Sequence, residues 1–592
     1  MNVKMFLGAA LTALVLAFMA CNMGDLPETG NSLDNDRFVA VQSITGMTEY
    51  GKVGSSLALT GTVQPANATN KVIVWEVTDN GATGAVVNGS TLTATATGTV
   101  ALRATIANGK AAGMAYTKDF TVALGTDITD VQEATGNSLA DQLAWVKANA
   151  ESGGVYILTA YDDESLAPQT LAYDDKTGIV LRLGSEGADK TVSFSPSSYG
   201  AKALFVVEDG VTLVLGNVTL RGKSSNTSNA PVVLIRSGGT LIMNGGKITG
   251  NRFAYGYDGI SLYGCGVYVE GTFIMNGGKI SDNTIPIYDL RGNSGGAGVH
   301  VQGGTFTMNG GEISGNTLSS THSRNNNYGA GVRVLEGTFT MNGGEISGNT
   351  IEKSGSGGGV YVGEGGTFTL KSGKISGNTV AGWGGGVGGY NFTMDGGEIS
   401  GNTSSNYGGG VNVPNFTMNG GVISGNTGIG GVMATGTFTM NGGVISDHHN
   451  INGSGGGVLI GWGEEDNFIM NGGKIFGNTT TGSGGGVNNH NTNGTFTMNG
   501  GEISGNTAAK DGGGVCGLSI MMTGGEISGN TAVNNGGGVN GGIIKIGGTI
   551  SGNASSVGNT VYHSSNRIRE RAAGPGDNLD SNKYGVAGGW DN

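Results

Sequence analysis

An all-β solenoid of stacked short strands is the fold this sequence predicts, and three observations carry the prediction. Glycine supplies 119 of the 592 residues. One sequence unit, Gly304-Thr305-Phe306-Thr307-Met308-Asn309-Gly310-Gly311-Glu312-Ile313-Ser314-Gly315-Asn316-Thr317, returns along most of the chain. Within it apolar and polar residues alternate, the period of a strand whose side chains point to opposite faces.

The repeat is anchored on Met308, whose place is taken elsewhere by Met243, Met275, Met341, Leu370, Met394, Met418, Met440, Met470, Met498, Met522 and Ile546. Successive intervals are 32, 33, 33, 29, 24, 24, 22, 30, 28, 24 and 24 residues. A unit near 24 residues with insertions of variable length marks a solenoid. Phe306 and Met308 are expected on the inner face, with Thr305 and Thr307 outside. Ile313 is expected inside between Glu312 and Ser314, and Val332 and Val334 inside around Arg333. Gly-Gly and Gly-Asn pairs between these pieces supply the positive φ of tight turns. Three strands and three corners per unit resemble one coil of a right-handed parallel β-helix, the fold of pectate lyases and many bacterial surface proteins. The resemblance covers roughly residues 155–555, and the array as a whole is placed at 127–553 with about a dozen or more coils.

A periodic asparagine follows each Ser-Gly pair: Asn251, Asn283, Asn316, Asn349, Asn378, Asn402, Asn426, Asn478, Asn506, Asn530 and Asn553, with His448 in one place. Stacked carboxamides at a corner predict a hydrogen-bonded ladder with a structural role. The position two before the serine of the Ser-Gly pair carries Glu312, Glu345, Lys374, Glu398, Lys474, Glu502 and Glu526 among others, a solvated face of mixed sign.

Upstream of the array the organisation changes. Lys4, the apolar run Met5–Met19, then Ala20 and Cys21 form a charged start, a short apolar core and a small residue before cysteine. Leu16-Ala17-Phe18-Met19-Ala20-Cys21 resembles a bacterial lipoprotein signal, which implies a leader over 1–20, lipid on Cys21, a polar tether over 21–36 and a membrane partner at the cell envelope. Residues 37–126 alternate strand-like runs with Pro, Asn and Gly turns. Gln64-Pro65-Ala66-Asn67-Ala68-Thr69, Trp75 and Thr95-Ala96-Thr97-Gly98-Thr99-Val100 resemble bacterial Ig-like domains, implying a β-sandwich with Trp75 in its core. Residues 137–150 show helical spacing after an Asn/Ser start and are expected to cap the first coil. Residues 554–592 lose the period and are expected to cover the other end.

Composition narrows function. A formal charge of −13 argues against a nucleic-acid surface. Cys265 and Cys516 lie too far apart along the array to pair, and no Cys/His spacing suits a metal, so no metal or other cofactor is expected. Collagen is excluded because there is no triplet glycine.

A polysaccharide lyase or glycoside hydrolase is the alternative the fold suggests, and it needs placed carboxylates. Asp162-Asp163-Glu164, Asp174-Asp175 and Glu464-Glu465-Asp466 do not recur at coil spacing, so they read as solvated loops and no catalytic residue is assigned. Gly292-Asn293-Ser294-Gly295-Gly296 matches a nucleophile-elbow string without its strand–turn–helix context. The Thr305/Thr307-type pairs resemble the threonine grids of ice-binding proteins, but Asn391, Asn415, Asn467 and Ile469 interrupt them. The stronger lead is an edge where insertions fall after the ladder asparagine. It carries Tyr255, Tyr257, Tyr288, Tyr328, Trp383 and Tyr407, and three of them, Tyr288, Trp383 and Tyr407, stand five residues after their asparagine. Of these, Tyr255, Tyr288, Tyr328, Trp383 and Tyr407 are the expected contacts for an extended glycan or a host or cell-surface protein, which makes the chain a structural or adhesive module.

Overall fold

The computed structural model describes residues 38–45, 47, 50–81, 83–96, 98–125, 131–195, 203–225, 229–253, 263–287, 293–320, 326–450, 453–461, 466–489, 494–556, 561–562 and 569–570. The leader, Cys21 and the tether lie outside them, as does nearly all of 557–592.

From Gln132 onward the chain builds long stacks of parallel strands. A 25-stranded sheet holds both the Val-x-Val and the Thr-Phe-Thr-Met pieces, and a 15-stranded sheet holds the Glu-Ile-Ser pieces. A third face consists of a 6-stranded and a 4-stranded sheet of the Thr-x pieces that follow the ladder residue. The register is the repeat itself: Phe273, Phe306, Phe339 and Phe368 pair in succession, as do Ile280, Ile313, Ile346 and Ile375. The expected three strands per unit differ in detail. Val-x-Val and Thr-Phe-Thr-Met fuse into one continuous strand in Val299–Met308, Val332–Met341 and Val360–Leu370. Register shifts between the two halves absorb the bend there.

The inner positions are those the alternation assigns. Phe306, Met308, Ile313, Val332 and Val334 are fully buried in one core that runs from Ala134 to Val561. Nine phenylalanines from Phe273 to Phe496 stack face to face, with neighbouring centroids 4.5–5.0 Å apart. Parallel in-register strands force this stacking, because equivalent side chains recur one strand spacing apart. A smaller cluster of Phe253, Cys265, Ile285, Ala297, Leu318, Ala330, Ile351 and Val380 fills the coils that carry the long insertions.

Each corner after Ser needs a left-handed backbone. Gly315 has φ 65°, and Asp282 and Asp447 occupy the same place at φ 58° and 57°, a region aspartate enters more readily than most residues. On the outside, Lys279–Glu312 (2.9 Å), Lys374–Glu398 (3.2 Å) and Lys474–Glu502 (2.7 Å) bridge successive coils, so the mixed signs relieve like-charge stacking.

The first strands are covered by the one helix among the described residues, α1 (Leu139–Asn149), inside the expected 137–150. Ser138 Oγ accepts the Asp141 N–H as its N-cap. Leu139, Leu143 and Val146 turn inward onto the core. Residues 43–125 form a separate β unit with its own core, in which Trp75 packs 5.5 Å from Phe120. A four-stranded sheet of Tyr50–Lys52, Met114–Gly125, Gly98–Ala111 and Val74–Asp79 is its largest part. This unit touches the solenoid where Asn276 Nδ2 donates to Thr121 Oγ1 at 3.2 Å.

Candidate functional site

The two valines of each Val-x-Val piece point inward, so the residue between them points out. In successive coils that residue is Leu234, Tyr268, His300, Arg333 and Tyr361. A second column runs beside it, formed by the residue that precedes each glycine run. There Tyr263 bridges Gly295, Gly295 pairs Tyr328, Tyr328 pairs Ser356 and Ser356 bridges Trp383. The Tyr407 carbonyl then accepts the Gly384 N–H, continuing the column by one coil.

The two columns meet in one cluster. Tyr263 stacks on His300 at 4.8 Å and 12°, and Tyr268 leans on the same imidazole at 4.9 Å. The Arg333 guanidinium lies 4.6 Å from the Tyr263 ring and 5.3 Å from that of Tyr328. Tyr328 in turn contacts Tyr361 at 4.2 Å. Arg333 fits because Gly295 lacks a side chain: a Cβ there would stand 2.6 Å from Arg333 Cδ.

Burial sets the protonation of the cluster. His300 is fully buried and its pKa falls to about 3, first through desolvation and then through the charge of Arg333, so the ring is neutral at ordinary pH. Burial likewise raises the Tyr268, Tyr328 and Tyr361 phenols, which stay protonated. Arg333 is 3% exposed and donates one hydrogen bond, to the Asn293 carbonyl at 3.4 Å. Its Nε finds no acceptor, and no carboxylate among the described residues pairs with it.

Of the residues the sequence singled out, Tyr328, Trp383 and Tyr407 share the second column, and Trp383 is 39% exposed. Tyr255, Tyr257 and Tyr288 lie outside the described residues. In their coils the register gives the column position to Tyr263 and Gly295. Sequence reasoning missed Tyr263, Tyr268, His300, Arg333 and Tyr361. For the last four the signal was the variable letter inside Gly-Val-x-Val, and for Tyr263 it was the place just before a glycine run.

Of the acidic clusters, Asp163 and Glu164 are hydrogen-bonded into the scaffold, while Asp162, Asp174 and Asp175 are exposed. Glu164 accepts the Leu139 N–H at the start of α1, Asp163 accepts the Thr191 N–H, and Asp162 lies 3.9 Å from Lys190. Asp174 sits at φ 49°, a turn position. Asp466 is buried, and Glu464 and Glu465 lie outside the described residues. No group of three His, Cys, Asp or Glu among the described residues could hold a metal.

The asparagines form two ladders. In the buried one, Asn316 donates both its backbone N–H and its Nδ2 to Asn349 Oδ1 at 3.0 Å, and Nδ2 also donates to the Ile280 carbonyl. The pattern repeats from Asn283 to Asn553 except at His448. The second ladder, at the residue after the repeat methionine, was not foreseen. Asn276 donates to Asn244, Asn309 to Asn276 and Asn342 to Asn309, all at 2.8–2.9 Å. Lys371 interrupts it, and a second run starts at Asp395, which accepts from Asn419 and fixes the donor direction. The carboxamides of the buried ladder are occupied within the strand stack and those of the second ladder pair mainly with one another, leaving the aromatic–cation face as the candidate for recognition.

The fold and this face define the class as an all-β protein of stacked parallel strands with an outward aromatic strip. No known protein family, no curated protein and no solved structure matches the chain.

Proposed function

We propose that the chain is a cell-envelope lipoprotein, anchored through lipid on Cys21, whose rod displays a binding edge away from the membrane. On this reading residues 37–126 are an Ig-like spacer, and residues 127–553 are a right-handed parallel β-helix closed by 554–592. The rod acts as a structural or adhesive module that holds an extended ligand, a glycan in the first instance. One observation carries the reading: Tyr328, Trp383 and Tyr407 align in a single column, beside Arg333 and Tyr361. With Ser356 between Tyr328 and Trp383, the rings recur every one or two coils of about 4.8 Å and offer spaced stacking platforms to a linear polymer. Asp163 and Glu164 are each engaged by a backbone N–H, which gives no support to the polysaccharide-cleaving alternative.

The test is affinity electrophoresis of the mature chain through gels of soluble glycans, with product analysis of the same samples. Retardation without cleavage, weakened by Trp383→Ala and Tyr407→Ala, is the expected result. Reducing ends or unsaturated products would overturn it, as would migration unchanged in every glycan.

A further inference from the structure

At the N-terminal end of the aromatic strip the surface closes into a cleft of about 290 Å³. Its walls are Tyr263 and Tyr268, its apolar floor is Pro231 and Leu234, and its polar rim is Arg236, Glu270 and Asn229. This is near the lower end of small-ligand sites, which start at about 300 Å³.

Three features of the cleft select its ligand. Both tyrosines are held from behind by the buried His300 ring, at 4.8 and 4.9 Å, so the aromatic walls are set before any ligand arrives. Such preorganisation lowers the ordering cost of binding. Arg236 Nη1 donates to both oxygens of Glu270 at 3.2 and 3.1 Å. That leaves the other guanidinium nitrogens as donors and the outer carboxylate lone pairs as acceptors. The pair is half-exposed, with Arg236 and Glu270 side chains 47% and 29% accessible, so these groups can reach a ligand. The charges of this pair cancel, so the rim itself favours neither sign, and the charge of nearby Arg333, which no described carboxylate pairs, is buried behind Tyr263. An apolar floor, aromatic walls and a neutral rim rich in donors and acceptors match one or two rings of an uncharged saccharide.

We propose that this cleft is a binding subsite for a neutral saccharide, with Tyr268 as the stacking wall and the Arg236–Glu270 pair hydrogen-bonding the ring hydroxyls. The subsite rests on the glycan-binding reading of the rod and gives it a defined end. Long chains would enter here and continue along Tyr328, Trp383 and Tyr407.

Saturation-transfer NMR on the full mature chain tests it, with maltose, cellobiose, lactose and diacetylchitobiose as probes and glucuronic acid as the anionic comparison. At least one neutral disaccharide is expected to bind, with glucuronic acid giving no signal. Tyr268→Ala is expected to weaken binding roughly tenfold, the scale of one lost aromatic contact. Tyr268→Phe keeps the ring and is expected to stay within about threefold, which separates stacking from misfolding. Glu270→Gln breaks the balanced rim and is expected to weaken the same disaccharide. If disaccharides bind while no polymer retards the rod, the cleft stands and the extended edge fails. Retardation by polymers without disaccharide binding overturns the cleft and leaves the edge. Binding of glucuronic acid alone, binding indifferent to Tyr268→Ala, or no binding of any sugar overturns it too.

Discussion

His448 Nδ1 accepts the backbone N–H of Asn426 at 3.1 Å, filling with an imidazole the rung that an asparagine Oδ1 fills in the neighbouring coils. The exchange is incomplete. Asn402 gives two hydrogen bonds to Asn426, whereas Asn426 Nδ2 has only the Ile399 carbonyl. Nδ1 faces both the N–H and, at 3.3 Å, the carbonyl of Asn426; with Nδ1 accepting, the ring proton falls on Nε2, which is buried with no acceptor in hydrogen-bond geometry. Gly431 makes the ring fit: a Cβ there would lie 2.1 Å from His448 Cδ2. The rung holds register but wastes two donors.

Replacing this ring by the residue of the neighbouring rungs should therefore stabilise the strand stack. His448→Asn is expected to restore the Asn426–Nδ2 bond and the link to Ile423, raising stability by about 1–2 kcal/mol at about 1 kcal/mol per bond. Chemical denaturation compared at one pH checks this. An unchanged or lowered midpoint would mean that the ladder tolerates imidazole without cost.

The same ring gives the fold an acid dependence. Desolvation lowers the His448 pKa to about 4, outweighing the opposing pull of the nearby Asn426 and Ile423 backbone carbonyls and then of Asp447, and that of His300 to about 3. An unfolded histidine titrates near 6.5, so the unfolded chain binds more protons between the two values. Stability is then complete above about pH 6.5 and falls as pH drops toward 4, by about 3 kcal/mol for His448. Denaturant midpoints from pH 8 to 4 should decline, and His448→Asn should remove roughly half the decline. A flat profile in the parent chain would show that these rings protonate in place.

How far the sequence revealed the molecule depends on which period a residue obeys. Phe306, Met308 and Ile313 belong to pieces of fixed length, so alternation assigned their faces. The buried asparagine ladder was legible for the same reason, because Asn316 and Asn349 keep a constant offset from Ser314 and Ser347. The aromatic strip was only half legible. Counting five residues forward from the asparagine finds Trp383 and Tyr407, but it crosses insertions in earlier coils and lands on Tyr288 where the register demands Gly295. Counting back from the glycine run would have added Tyr263 and put Tyr328, already singled out, in the same column. His300 and Arg333 were hidden because an outward strand position normally means solvent, and here neighbouring tyrosines cover it.

Burial should separate the two ladders energetically. Asn378→Ala removes acceptors for the Asn349 backbone and side chain and the donor to the Ile346 carbonyl, all fully buried. Each orphaned group costs about 1–3 kcal/mol, so a loss of about 3–5 kcal/mol is expected. Asn419→Ala breaks exposed links to Asp395 and Asn441 that water can replace, with a loss below about 1 kcal/mol. Equal shifts in thermal or denaturant midpoint would contradict the division.

Cys265 stands where Ala297 and Ala330 stand in the next two coils, inside the same small cluster. Its thiol is buried and its pKa is pushed up by desolvation, so it should resist alkylation in the native state. Cys265→Ala is expected to cost less than about 1.5 kcal/mol, since its neighbours already accept the smaller side chain. Native-state labelling followed by mass spectrometry should mark Cys516, which is partly exposed, before Cys265. Early labelling of Cys265 would show that this cluster opens.

Arg333 is the sharpest test of whether the aromatic strip is there for stability or for recognition. A buried cation without a carboxylate is expensive, and a well-packed apolar residue of similar length often does as well or better. The two tyrosine faces at 4.6 and 5.3 Å return part of that cost through cation–π attraction, about 2 kcal/mol when desolvated. Arg333→Met should keep the rings apart by volume alone and leave the melting temperature unchanged or higher. If the guanidinium exists to order Tyr263 and Tyr328 for a ligand, glycan retardation should weaken in this variant while the fold holds. A large drop in stability with retention unaltered would instead make Arg333 a structural pin, and the strip a packed seam between coils.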